Sequence, residues 1–135
     1  MKPVLVLEDD PSQMAFIRKI LKQYFVLEAS SAETALRRFK GTNCNIGILI
    51  ADVSLPVSSG IHLALLLRHK HRSLPIILTS EYPVNGWSEP DVADLARLQA
   101  DTVVILQKPL QGRLLLNAVQ KLTASPAPAR ARTAS

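Results

Sequence analysis

The sequence predicts an open, doubly wound α/β fold, with a five-stranded parallel sheet covered by helices on both faces. Five short apolar runs, residues 4–7, 25–29, 46–51, 75–79 and 103–106, alternate with stretches of helical spacing, as crossover-connected parallel strands require. Most of the runs are continuously apolar, which suits strands buried on both faces. All but the second stop at polar or charged residues.

The first run, "VLVL", ends abruptly in Glu8, Asp9 and Asp10. Two carboxylates about 4 Å apart repel by roughly 4 kcal/mol at an effective dielectric of about 20, so a cation must offset them or one acid must face water. Asp10 followed by Pro11 is a helix start, a capping acid with proline at the first helical position. Met14, Ile17, Ile20, Leu21 and Tyr24 recur at helical spacing and carry that helix to about Gln23. After the second strand, Ser30 with Glu33 predicts a capping box for a helix through Lys40, ended by Gly41.

The third run stops at Asp52, and a loop with Pro56 and Gly60 leads into a helix over residues 61–71. The fourth run ends in the hydroxyls of Thr79 and Ser80. Pro83, Gly86 and Pro90 break any long helix in the segment that follows, leaving a short one over residues 91–98. The fifth run stops before Lys108-Pro109, and an amphipathic helix over residues 110–122 closes the domain, residues 1–123. Residues 124–135, "ASPAPARARTAS", are expected to be a disordered tail.

The 135 residues fit one domain, and an apolar fraction of 47% supports a packed core. Aromatics at 4% argue against base-stacking platforms. The single Cys44 excludes an internal disulfide and a cysteine zinc site. With no apolar run of transmembrane length and no signal peptide, the expectation is a cytoplasmic protein without membrane partners. The net charge of +5 is scattered, apart from a cluster over residues 68–72. That cluster suits a solvated helix end complementing the dipole, and no DNA-binding motif accompanies it.

In a doubly wound sheet, ligands bind beyond the carboxyl ends of the strands, where strand order reverses. In the order 2-1-3-4-5 that point lies between the first and third strands, the two that end in acids. Clustered carboxylates form a hard oxygen site suited to Mg²⁺. A lysine and a hydroxyl facing them could hold a phosphoryl group, and a carboxylate can serve as its nucleophile.

"VLEDD", "IADVSLPVSSG", "ILTS" and "LQKP", in this order and each at a strand end, resemble the receiver domain of two-component response regulators, with its flavodoxin-like, CheY-like fold. The resemblance spans about residues 2–123. It implies Asp52 as the phosphoacceptor, Asp9 as a direct metal ligand, Glu8 as the acid beside it and the Ser54 carbonyl as a further ligand. It also implies Thr79 as the hydroxyl that turns to the phosphoryl group and Lys108 as the lysine that pairs with it, with a Lys108-Pro109 peptide bond often cis. Ser54 and Glu81 match positions flanking the path of the attacking water, and Ser80 stands beside them as a modulator. Asp10 falls outside the metal set and is left to cap the first helix.

The family usually carries an aromatic residue where this chain has Ile105, which puts the usual threonine–aromatic relay in doubt. The long segment between Thr79 and Lys108 disturbs the expected fourth helix, where Trp87 reads as a packing anchor. "ILTSEYP" with Trp87 is similar to receivers found alone or in hybrid kinases. The resemblance thus implies a phosphorelay response regulator taking a phosphoryl group from a sensor histidine kinase or a histidine phosphotransfer protein, with Mg²⁺. No DNA-binding output domain, no nucleic-acid partner and a possible homodimer are expected, and the chain is not expected to be a turnover enzyme. A degenerate receiver binding partners without phosphorylation is the alternative. A phosphohydrolase usually carries a second acid two residues after its nucleophile, where this chain has Ser54.

Overall fold

The computed structural model describes residues 2–55, 59–98 and 100–124. Strands β1 (Val4–Leu7), β2 (Val26–Ala29), β3 (Ile48–Asp52), β4 (Ile76–Ser80) and β5 (Val103–Gln107) alternate with helices α1 (Pro11–Ile20), α2 (Ala32–Gly41), α3 (Gly60–Lys70), α4 (Glu89–Ala96) and α5 (Gly112–Thr123). The strands form one parallel sheet in the order β2-β1-β3-β4-β5. The predicted fold class and strand order are those observed. Pro56 and the tail residues 125–135 lie outside the described residues, so the expectations placed on them are not addressed.

The continuous apolar runs are explained by what covers the sheet. Leu5, Leu7, Leu49, Ala51, Ile76 and Leu78 face one layer, where they meet Phe39 of α2 and Ile61, Ala64 and Leu67 of α3. Val4, Val6, Ile48, Ile50 and Ile77 face the other, against Met14 and Ile17 of α1 and Leu115 and Val119 of α5. Successive side chains of a strand point to opposite faces, so a strand covered on both sides must be apolar at every position. Fully burying one such side chain stabilises by roughly 1.5–3 kcal/mol.

Local signals set most element ends. Asp10 caps α1 by accepting from the Ser12 N–H at 2.9 Å, with Pro11 in the first turn. That helix ends at Ile20, short of the predicted Gln23. Leu21 and Tyr24 continue in a turn, with the Tyr24 N–H donating to the Leu21 carbonyl, while Leu21 stays in the core. Apolar spacing tracks burial and therefore ran past the helix end.

The two predicted ends of α2 each shift by one residue. Ser31, not Ser30, caps α2, its hydroxyl accepting from the Thr34 N–H at 3.2 Å. Gly41 is the last helical residue, and the left-handed backbone falls on Asn43 and Cys44 (φ 56° and 61°). Asparagine tolerates that region, and the Cys44 N–H is tied to the Phe39 carbonyl at 2.9 Å.

The basic cluster is also corrected in part. Arg68 is not a solvated helix end, because its guanidinium reaches the Leu74 carbonyl at 2.9 Å and the Thr102 hydroxyl. It thereby joins α3, the approach to β4 and the short 3-10 turn Ala100–Thr102 before β5. Gly60 opens α3 directly against the end of β3. A Cβ there would lie 2.4 Å from the Asp52 carbonyl oxygen, so only glycine lets the helix start this close to the strand.

Candidate functional site

Register brings the predicted site residues together. Leu7 pairs with Ala51 across β1 and β3, so the next residues of the two strands, Glu8 and Asp52, emerge side by side. Asp52 pairs with Thr79 across β3 and β4. Ser80 pairs with Gln107 across β4 and β5, and Lys108 follows. Parallel strands aim their carboxyl ends at the same edge of the sheet, so residues a hundred positions apart in sequence meet there.

The Lys108 ammonium lies 2.9 Å from Glu8 Oε1 and 3.1 Å from Asp52 Oδ2. Glu8 and Asp52 are 2% and 3% exposed, and Thr79 and Ser80 are equally buried. Asp52 Oδ1 accepts from the Ser54 backbone N–H at 2.9 Å, and Glu8 Oε2 accepts from that of Asp10 at 3.1 Å. Asp9 is exposed. Carboxylate oxygens of Glu8, Asp9 and Asp52 lie within 4.8 Å of one another. The peptide between Lys108 and Pro109 is cis.

These contacts answer the question raised by three adjacent acids. Lys108 supplies a positive charge between Glu8 and Asp52, Asp9 faces solvent, and Asp10 caps α1. Burial pushes the Glu8 carboxyl above its ordinary value of 4.5. The Asp52 charge adds to that rise, while Lys108 and the Asp10 N–H oppose it. For Lys108, burial works against the charged form, but hydrogen bonds to Glu8 and Asp52 outweigh it and hold its pKa above 10.5.

A cleft of about 470 Å³ opens over this cluster, lined by Glu8, Asp9, Asp52, Ser54, Glu81 and Lys108 together with Asp10, Gln13 and Pro109. Of the expected site residues, Glu8, Asp9, Asp52, Ser54, Glu81 and Lys108 line this cleft, whereas Thr79 is buried beside Asp52 in register and does not line it, and two others lie apart. Ile105 lies on β5, pairs with Leu78 and is 36% exposed, so it presents an aliphatic side chain at the surface. Ser80 points away into the loop beyond β4. Its hydroxyl donates to the Tyr82 carbonyl at 2.7 Å and accepts from Trp87 Nε1 at 3.0 Å. Trp87 also packs on the core, as the sequence suggested. Its bond to Ser80 left no trace in sequence, because nothing in the spacing of seven residues marks it.

The match to the response regulator receiver domain model runs over residues 4–120. The chain belongs to that family. Its receiver fold is shared with solved structures of low sequence identity. The chemotaxis protein CheY4 of Vibrio cholerae superposes with a TM-score of 0.75 at 22% identity, covering 90% of this chain and 98% of that one. A response regulator receiver domain protein from Clostridium thermocellum gives 0.74 at 23% identity, covering 91% and 94%. The receiver domain of a signal transduction histidine kinase from Syntrophus aciditrophicus gives 0.73 at 24% identity, covering 91% and 90%. No curated protein matches this chain in sequence. As a receiver domain it is a two-component signalling module, and such modules work with histidine kinases or phosphotransfer proteins. Among the described residues, no helix is long and apolar enough to cross a membrane.

The donor set fits a hard divalent cation. Three carboxylates supply closely spaced oxygens, and the exposed Asp9 leaves the cluster open to solvent on one side, as Mg²⁺, which keeps several waters, requires.

Proposed function

We propose that Asp52 accepts a phosphoryl group from a phosphohistidine on a sensor histidine kinase or histidine phosphotransfer protein. The modified receiver then changes its partner binding or passes the group on. The observation that carries this reading is Asp52 itself, a buried carboxylate at the strand-order switch point, held by the Lys108 ammonium and the Ser54 N–H and lining an open cleft.

A carboxylate oxygen of Asp52 attacks phosphorus, the bond from phosphorus to the donor imidazole nitrogen breaks, and its electron pair returns to that nitrogen. Lys108 neutralises charge on the transferred group and on the carboxylate it joins. The Ser54 N–H orients the carboxylate through its other oxygen. Thr79, next to Asp52 in register, supplies a hydroxyl to the phosphoryl oxygens. Glu8, Asp9, Asp52 and the Ser54 carbonyl would hold Mg²⁺, which when bound adds positive charge for the phosphoryl oxygens. Ser54 and Glu81, both lining the cleft, set how readily water reaches the aspartyl phosphate. Ser54, a neutral residue two positions after Asp52 where a phosphohydrolase needs an acid, supports a signalling acceptor over a turnover enzyme. The protein is read as acting in the cytoplasm.

Incubation with acetyl phosphate and Mg²⁺, followed by intact mass spectrometry, tests this. A labile single-phosphoryl adduct that requires Mg²⁺ and is absent from Asp52→Asn is expected. No adduct would instead favour a receiver that binds partners without phosphorylation, and steady turnover of phosphate esters would revive the enzyme reading.

A further inference from the structure

Beyond the β4 edge of the site lies a knot that the proposed chemistry does not use. The fully buried Ser80 hydroxyl accepts from the Tyr82 N–H at 3.1 Å and from Trp87 Nε1 at 3.0 Å, and donates to the Tyr82 carbonyl at 2.7 Å. The same indole N–H also reaches the Tyr82 carbonyl at 3.0 Å. These bonds close a ring around Glu81, the residue that lines the cleft.

Both ends of the knot lead somewhere. Ser80 follows Thr79, the register partner of Asp52, and its carbonyl accepts from the Lys108 backbone N–H at 2.7 Å. Trp87 is followed at once by Ser88, which caps α4 by accepting from the Asp91 N–H. Alone among the five α-helices, α4 has no buried residue. A short helix with so little core contact sits at the low end of local stability, so the bonds at its entry weigh heavily on where it rests. On β5, the exposed aliphatic Ile105 has no polar atom with which to pair a moving hydroxyl.

We infer that the Trp87 indole is the mechanical link between the phosphoacceptor site and α4, holding the start of α4 on the end of β4 and releasing or dragging it when the Thr79–Ser80 segment moves. The resting link stands on the observed bonds alone. Its response to phosphorylation rests on the proposed chemistry at Asp52. The two states are a latched loop, with Ser80 Oγ bonded to the indole, and an unlatched one in which that bond is broken and the entry to α4 is free.

Hydrogen exchange with mass spectrometry and tryptophan emission test it, since Trp87 is the chain's single tryptophan. In the unphosphorylated protein, Trp87→Phe keeps an aromatic ring but removes the indole N–H. It should speed exchange of the amides of residues 88–96 by roughly fivefold, the scale of one lost hydrogen bond. Ser80→Ala, which keeps the indole, should do the same and shift the Trp87 emission to longer wavelength. Unchanged exchange in both folded variants overturns the inference, whatever happens at Asp52. With acetyl phosphate and Mg²⁺, adduct formation is followed by mass on the same samples. Where the adduct forms, wild type should show altered emission and altered exchange over residues 80–96. Trp87→Phe should form the adduct to the same extent while its α4 amides no longer respond. An adduct with silent emission and silent α4 amides in wild type, or an equal α4 response in Trp87→Phe, overturns the link. An absent adduct counts against the proposed chemistry and leaves the resting link to be decided by the unphosphorylated samples.

Discussion

Lys108 and Glu8, a hundred residues apart, form an ion pair of 2.9 Å, with their side chains only 10% and 1% exposed. The same ammonium reaches Asp52 at 3.1 Å. One cation therefore balances two buried carboxylates on neighbouring strands. A buried pair is not itself a large net source of stability, because desolvation offsets its attraction, but removing one partner strands the other. Lys108→Ala should thus destabilise the fold by about 3 kcal/mol near neutral pH, read from urea unfolding. A loss below about 1 kcal/mol would mean that water or solution cations replace the ammonium freely.

Acid titration should carry the mark of Glu8. Because burial raises its pKa above 4.5, the folded chain holds this proton more tightly than the unfolded chain does. Stability contributed by Glu8 is therefore full below 4.5 and falls as the pH rises through its raised value. In EDTA, wild type should lose stability over that window relative to Glu8→Gln, which cannot ionise. Parallel urea midpoints for the two proteins across the range would contradict this. At the alkaline end the sign repeats for Lys108. Its raised pKa contributes stability that is fully present below 10.5 and is lost above it.

Gly60 and Gly41 should respond oppositely to alanine. At Gly60 the new Cβ would sit 2.4 Å from the Asp52 carbonyl and 2.9 Å from the Ala51 Cβ, both held in the central sheet. Relief requires moving α3 or β3, at a cost of about 2 kcal/mol. At Gly41, which ends α2 at negative φ, nothing lies within 4 Å, and alanine should stabilise by about 0.5 kcal/mol. Thermal unfolding of both variants separates the cases, and a shift of the same sign in both would refute the argument.

Arg68→Ala should cost about 1.5 kcal/mol, since it strips hydrogen bonds from the Leu74 carbonyl. Its exposed helix neighbour Lys70 should be replaceable by alanine with a change within about 0.5 kcal/mol. Equal effects in urea unfolding would place Arg68 back among the solvated charges.

The fold was legible in sequence because its strongest determinants are local and periodic. The apolar runs of β1, β3 and β4 are satisfied by strands covered on both faces, and each run stops where the strand reaches the sheet edge. Asp10-Pro11 marked the start of α1 for the same local reason. The identities of Glu8, Asp9, Asp52, Thr79 and Lys108 were legible as strand-end residues, and the order 2-1-3-4-5 made them converge.

Tertiary structure alone decided which charges pair. That Lys108, and not a solvated cation elsewhere on the chain, sits between Glu8 and Asp52 depends on the register of β1, β3, β4 and β5, which no local spacing encodes. The same holds for Arg68, whose place in a basic run looked solvated until folding set the Leu74 carbonyl and Thr102 within its reach. Ser31 rather than Ser30 caps α2, and the left-handed backbone after Gly41 falls on Asn43 and Cys44, because both depend on how the chain leaves one element for the next. The bond from Trp87 to Ser80 is of this kind too. A hydrogen bond across a loop depends on angles and distances fixed only when the loop packs, whereas the hydrophobic pattern needs only that side chains repeat with the period of the backbone.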